Sequence, residues 1–323
     1  MTIRLPGIRL GLGCGPLGNL YHAIGEDQAV ATVDAAWDAG VRFFDVAPHY
    51  GLGLAERRLG KALAGRPRSQ YAVSTKVGRL LEPTPDDAGL RDVEGFDVPR
   101  THRRVWDFSR DGVRRSIAES LDRLGLDRVE IALLHDSEGN ADAAIEEGYP
   151  ALAELRDEGV VGAIGAGSKD IAFLHRLVTT RAPDVILVAG RYTLLEQPAL
   201  DEVLPACLAA GTSVLNGGIF NSGLLALDRP HDDSPYEYGP APAPVLQRAR
   251  AIADICARHG TTLPTAALAF ARSHPTVVSV LVGADSPDQI RRNATLAAQE
   301  PPSELWPAMV EAGLLRSVPT VLR

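Results

Sequence analysis

Arg9-Leu-Gly-Leu-Gly-Cys-Gly-Pro-Leu-Gly18 is the stretch on which the fold turns. A short apolar run followed by glycines resembles the first strand and turn of an open, doubly wound dinucleotide-binding sheet. Such a turn has to open a helix so that a pyrophosphate meets the helix N-terminus. Here no G-x-G-x-x-G is read after the strand: the run of Gly11, Gly13, Gly15 and Gly18 is taken to space its glycines differently, it meets Pro16 rather than a helix, and helical periodicity begins only at Asp27. The stretch therefore reads as a strand that leaves into a loop, and the open sheet becomes the second choice.

Downstream, short apolar runs alternate with longer helical patterns, as a parallel sheet with crossover helices requires. The strand candidates are 9–12, 42–45, 72–76, 130–135, 161–164, 185–189, 213–216 and 278–283. Val30, Val33 and Trp37 share one face of a helix over 27–39 that stops at Gly40. Ser109 is a plausible N-cap for a helix carrying Val113, Ile117, Leu121 and Leu124 before Gly125. Further helices fit 55–63, 149–157, 171–179, 198–210, 245–258, 264–272 and 287–298. Eight strand–helix pairs in 323 residues predict an α/β fold of the (β/α)₈ (TIM) barrel type, a single domain over 1–323.

Two stretches break the rhythm, 78–108 and 217–244, both just after a strand. On the C-terminal face of a barrel, long loops of this kind would be a substrate lid and a cofactor loop; the alternative is surface insertion without function.

Composition narrows the class. With 33 Lys and Arg against 41 Asp and Glu, the net charge of −8 argues against a nucleic-acid partner. No run approaches the length of a membrane span, and residues 1–20 lack a basic segment followed by a long apolar one, so a cytoplasmic protein without membrane attachment is expected. Cys14, Cys207 and Cys256 are too few and too dispersed for a disulfide framework or a metal knuckle, and the histidines show no metal-ligand spacing. No oligomeric state can be read.

Ionisable residues stand at three successive strand ends: Asp45 and Tyr50, Lys76, and His135. A charge that ends an apolar run such as Tyr71-Ala-Val-Ser-Thr-Lys76 is costly to bury without a partner. Tyrosine works as an acid or base near neutrality only beside a cation, which Lys76 would supply; Asp45 would hold the lysine and His135 would orient the reacting oxygen. Singly, each residue has another reading: a helix cap, a packing aromatic, a strand-end solvator and a core histidine. Converging on one barrel face, the four point to catalysis without a metal.

Phe43-Phe-Asp-Val-Ala-Pro-His-Tyr-Gly51, with Glu56 and Leu59-Gly60 after it, resembles the signature of the aldo-keto reductase superfamily over almost the whole chain. The resemblance implies a barrel that binds NAD or NADP in extended form, with the catalytic tetrad on Asp45, Tyr50, Lys76 and His135. Within the superfamily, 13–19, 189–197 and 216–225 resemble the D-threo-aldose (L-fucose) 1-dehydrogenases, which oxidise an anomeric carbon to a lactone. Pyridoxal 4-dehydrogenases, general aldehyde or ketone reductases, and a non-enzymatic cofactor-binding regulatory subunit are the alternatives. A small-molecule sugar or other hemiacetal or carbonyl substrate is implied.

The same resemblance implies cofactor contacts at Ser168, at Phe220, Asn221, Ser222, Gly223 and Leu224, and at Gly283, Ala284, Asp285, Gln289 and Asn293. The family's usual Ser-Asn pair is Gly167-Ser168 here, and its strand-6 glutamine is Ala189. Phe220 is either a face for the nicotinamide or a loop anchor. Amides freed by Gly223 are expected at the pyrophosphate, and Ser286 is placed to cap the helix beneath an anion. Asp285 stands where many relatives carry a cation that would grip a 2′-phosphate, so NAD is favoured over NADP, with Arg291 and Arg292 a partial offset. Substrate contacts are sought among Tyr21, His22, His49 and Trp106, with Phe108 beside them.

Overall fold

The computed structural model describes residues 4–87, 89–237 and 239–319. Ala88 and Tyr238, inside the two long loops, and 320–323, at the end of the C-terminal segment, lie outside the described residues.

Eight parallel strands close on themselves: β1 (Leu10–Gly13), β2 (Phe43–Asp45), β3 (Ala72–Val77), β4 (Val129–His135), β5 (Val161–Ser168), β6 (Val185–Ala189), β7 (Ser213–Gly217) and β8 (Val277–Gly283). Each pairs with its neighbours in chain order, and β1 closes the ring against β8 through Leu10 opposite Val280 and Gly13 opposite Gly283. Closure removes both sheet edges and makes every strand a buried one, which explains the nearly continuous apolar runs in the sequence.

Alternate residues of the strands fill the lumen. Phe43, Ala72, Ile131, Leu133, Val185, Leu187, Leu215 and Leu281 form one packed cluster. Their neighbours, among them Leu12, Phe44, Val73, Leu134, Ile164, Ile186 and Val214, belong to the larger core between sheet and helices. Burying side chains of this size stabilises the fold by roughly 1.5–3 kcal/mol each.

The helices are α1 (Glu26–Asp38), α2 (Leu54–Leu63), α3 (Arg110–Leu124), α4 (Tyr149–Asp157), α5 (Ile171–Arg181), α6 (Val203–Ala210), α7 (Ala243–Arg258), α8 (Leu263–Ala271), α9 (Pro287–Ala297) and α10 (Leu305–Glu311). In α1, Val33 is buried while Val30 and Trp37 pack half-buried against the core. The Ser109 side chain accepts from the Gly112 amide at 3.1 Å, and Gly125 ends α3 with φ 65°. The expected helix over 198–210 is interrupted: a short turn at Pro198–Leu200 precedes α6. Ser286 occupies the N-cap position of α9 with extended backbone but makes no capping bond; the Asp285 amide donates to Gln289 Oε1 instead.

The stretch 78–108 is more regular than an irregular lid. Arg79–Pro83 and His102–Trp106 pair antiparallel as a hairpin above the barrel, with Arg79 opposite Trp106.

Gly13, Gly15 and Gly18 do stand at dinucleotide-fingerprint spacing, yet the chain makes a single turn at Pro16–Gly18 and enters Asn19 with φ 66°, so no helix N-terminus forms there. Gly18 has another use: a Cβ on it would lie 2.6 Å from the carbonyl carbon of Tyr50, so the β1–α1 and β2–α2 loops cross with their backbones in contact.

Candidate active site

Parallel register brings the strand ends to one height. Asp45 lies opposite Ser74 on β3, and His135 opposite Gly167 on β5. Lys76, 2% exposed, donates from Nζ to Asp45 Oδ2 at 2.8 Å, to the Val46 carbonyl at 3.0 Å and to the Tyr50 hydroxyl at 3.0 Å. The Ser74 hydroxyl donates to the second oxygen of Asp45 at 2.7 Å. The three donors of the Lys76 ammonium and both oxygens of Asp45 are therefore satisfied, the condition for keeping an ion pair in an apolar wall. The His135 ring completes the group, its centroid 6.0 Å from that of Tyr50.

Burial disfavours the Lys76 ammonium, but Asp45 and Tyr50 outweigh it and raise its pKa, so the lysine stays charged. For Tyr50 the balance falls differently: burial, helped by Asp45, outweighs the lysine, and the phenol is pushed up to about 12. Lys76 thus limits the rise and does not bring the tyrosine to neutrality as its charge alone would suggest. His135 is held well below the usual histidine range by burial and by Arg79 and Lys76, so its imidazole is neutral and offers one N–H. A neutral phenol beside a neutral imidazole and a fixed ammonium can protonate a carbonyl oxygen as it gains charge, or run in reverse as a base at high pH.

His49 belongs to the same cluster. Its ring packs 6.0 Å from Tyr50, 5.5 Å from His135 and 5.1 Å from Phe96. The structure adds residues that sequence reasoning missed: Arg79, Arg104, Asp136 and Phe96. Arg104 donates to the His49 carbonyl at 3.0 Å and pairs with Asp92 at 2.6 Å; Arg79 reaches both His49 and Asp136. Asp136 follows His135 directly and carries φ 40°, an unusual conformation that marks this strand end. Its place beside His135 was the only available signal.

The other candidates are dispersed. Trp106 is 44% exposed on the hairpin, over the Arg79 guanidinium. Phe108 is buried in the main core. Tyr21 is exposed, its amide bonded to the Gly95 carbonyl at 3.0 Å. His22 sits at the β8 side, its Nε2 3.2 Å from Asp285 Oδ2.

Around β5 to β8, Ser168 is buried, donates to Glu138 Oε2 at 2.9 Å and accepts from the Asp170 amide. After β7, Asn221, Ser222 and Gly223 all have positive φ, at 48°, 61° and 103°. The amides of Gly223 and Leu224 are spent within this turn, on the Phe220 and Asn221 carbonyls, so Gly223 does not free them for phosphate as expected. Asn221 donates to Glu196 while its buried Oδ1 has no partner among the described residues, and Leu224 is core. Phe220 packs half-buried. At the end of β8, Gly283 and the buried Ala284 lead to Asp285, and Asn293 is buried on α9. Arg291 pairs with Asp288, and Arg292 with the Ala226 carbonyl and Asp228, so neither is directed at Asp285. A strained turn with an orphaned amide oxygen, together with an acidic residue suited to ribose hydroxyls, fits a dinucleotide laid across these strand ends.

Comparison with known proteins agrees with this geometry. The chain is 49% identical to a D-threo-aldose 1-dehydrogenase from Pseudomonas sp., over 95% of this chain and 94% of that protein. It is 36% identical to a pyridoxal 4-dehydrogenase from Microbacterium luteolum, again over 95% and 94%. Among solved structures, a glycerol dehydrogenase from Gluconobacter oxydans superposes with a TM-score of 0.77 at 23% identity, over 100% of this chain and 97% of that one, which speaks for the fold alone. No helix among the described residues is long and apolar enough to cross a membrane. The aldo/keto reductase family model matches residues 9–312, and the chain belongs to that family of NAD(P)-dependent oxidoreductases.

Proposed function

We propose that this enzyme oxidises the anomeric carbon of an aldopyranose to a lactone, with Tyr50 as the acid–base residue. The observation that carries the reading is the Asp45–Lys76–Tyr50 chain beneath His135, in a sequence 49% identical to a D-threo-aldose 1-dehydrogenase. In the oxidation, Tyr50 takes the proton of the anomeric hydroxyl while His135 holds that oxygen by its N–H. A nicotinamide cofactor, when bound, would supply the hydride acceptor that balances conversion of the C1–H and C1–OH of the sugar into C1=O. Lys76 steadies the phenolate in the oxidative direction, and Asp45 keeps the ammonium in place.

The residues that would hold the cofactor are Ser168, the Phe220–Leu224 turn, Gly283, Ala284, Asp285, Gln289 and Asn293. NAD is favoured, because the Asp285 carboxylate would repel a 2′-phosphate and accept from ribose hydroxyls. Similarity to the pyridoxal enzyme supports a second reading, oxidation of the cyclic hemiacetal of pyridoxal on the same machinery.

Initial rates of nicotinamide reduction with L-fucose, D-arabinose, L-galactose and pyridoxal, each with NAD⁺ and NADP⁺, test both. Aldose turnover with NAD⁺ is expected. Turnover of pyridoxal alone overturns the sugar assignment, and turnover with NADP⁺ alone overturns the role given to Asp285.

A further inference from the structure

The hairpin after β3 carries a residue that the chemistry at Tyr50 does not use. Arg79 stands three positions beyond Lys76, its side chain 13% exposed. Its Nη2 donates to Asp136 Oδ2 at 2.8 Å, its Nη1 meets His49 Nδ1 at 3.2 Å, and the Trp106 ring covers it at 4.5 Å. A guanidinium can only donate. His49 Nδ1 must therefore accept, which leaves the proton of the neutral imidazole on Nε2. On the other arm, Asp136 Oδ2, an acceptor, lies 3.5 Å from His135 Nε2 and favours a proton on that nitrogen as well.

The surroundings of His49 make the assignment a choice rather than a default. Arg79, Arg104 and Lys76 are the cations near the ring, and with burial they keep it neutral. Glu94 Oε2 is 3.7 Å from the same Nδ1, beyond hydrogen-bond reach, and as an acceptor it would call for the opposite tautomer. Arg79 is what prevents it.

We propose that Arg79 is a positioning residue that fixes the tautomers of His49 and His135, so that the mouth of the site presents N–H donors beside one carboxylate, Asp136, to a polyhydroxylated substrate. The inference rests on the hemiacetal-oxidising reading above and adds how the hydroxyls flanking the anomeric carbon are read. The His49 Nε2–H donates to one hydroxyl oxygen. Asp136, its side chain 34% exposed, accepts from a neighbouring hydroxyl. A substrate without those hydroxyls leaves the row unpaired, the kind of mismatch by which polar sites discriminate.

Two-bond ¹H–¹⁵N correlation spectra of protein labelled at histidine test the tautomer directly. In the native chain the His49 signals show Nε2–H from about pH 5 to about pH 8. In Arg79→Met, Nδ1 faces only Glu94 and the proton moves to Nδ1, whereas Arg79→Lys, which keeps a charged donor, retains the native pattern. An unchanged Nε2–H pattern in Arg79→Met overturns the proposal. Should that variant fail to fold, Arg79→Leu, which likewise offers no donor, is read in the same way, and an unchanged Nε2–H pattern there overturns the proposal equally. In kinetics, the preference of kcat/KM for an aldopyranose over its 2-deoxy analogue falls about tenfold in Arg79→Met, mainly through KM. A loss of kcat with the preference intact contradicts the proposal. The spectra need no substrate, so inactivity of the native protein toward aldoses would remove the aldose reading alone and leave the spectra to decide on Arg79.

Discussion

The Lys76 ammonium lies 3.0 Å from the Tyr50 hydroxyl in a wall that solvent barely reaches, yet the phenol is pushed up to about 12. Burial raises a phenol by destabilising its anion, and one lysine, itself held by Asp45, recovers only part of that cost. At neutral pH the site is therefore poised as an acid, with a base available only as the pH climbs.

That imbalance sets a pH dependence. Aldose oxidation needs the ionised tyrosine, so its kcat/KM should rise by nearly tenfold per unit through the range about pH 7 to about pH 10, while reduction of a carbonyl stays nearly level there. Initial rates in both directions across that range check it; an oxidation rate flat with pH would remove Tyr50 from proton transfer.

Tyr50→Phe is expected to lower turnover by about 10²–10⁴-fold while leaving cofactor affinity within a few-fold, since the ring and its packing remain. Single-turnover rates and a cofactor titration by fluorescence separate the two effects.

At Asp285, replacement by Asn removes the charge while keeping the shape. KM for NADP⁺ should fall by about tenfold and KM for NAD⁺ should rise a few-fold, because repulsion of a 2′-phosphate and bonding to ribose hydroxyls both depend on the carboxylate. Equal changes for the two cofactors would place Asp285 away from the adenosine ribose.

The histidines of the site make stability fall on acidification. His49 is shifted from 6.5 down to about 2 by burial and by Arg79 and Arg104, and His135 is lowered as well. An unfolded chain takes up protons on both as the pH drops below 6.5, whereas the folded one does not. The stability they contribute is thus complete above that value and is lost at about 1.4 kcal/mol per pH unit for each histidine. Urea midpoints at about pH 7, 6 and 5 measure the slope, and His49→Gln should make it shallower.

Glu56 is fully buried, accepting from Arg123 at 2.6 Å and from Thr75, next to Lys76, at 2.9 Å. Glu56→Ala removes the close carboxylate from Arg123, which keeps only the Ser120 hydroxyl at 3.2 Å and Glu119 at 3.9 Å, and takes the acceptor from Thr75; it should destabilise the fold by about 1–3 kcal/mol, visible as a drop in Tm. A change below about 1 kcal/mol would mean that solvent replaces the carboxylate.

Much of this molecule is legible along the chain. Each barrel strand is a short run that burial on both faces forces to be apolar, so a charged residue at its end stands out. For that reason Asp45, Lys76 and His135 could be placed on one face before any contact was known. The alternation of strands and helices carries the barrel in the same local way, and Pro16 warns that the glycine run opens no helix. Other features depend on distance across the fold. Arg79 meets His49, 30 positions earlier, and Asp136, 57 positions later, only because the 78–108 stretch folds back as a hairpin. The tyrosine's pKa is a sum of burial and charge that no spacing encodes, and Gly18 matters through a backbone that comes from another loop. The sequence by itself determined what each element is, because periodicity and strand-end charge are local properties of the chain. Only the tertiary structure decided which polar groups share a proton or a charge, because desolvation and hydrogen bonding act through space between residues that the chain keeps far apart.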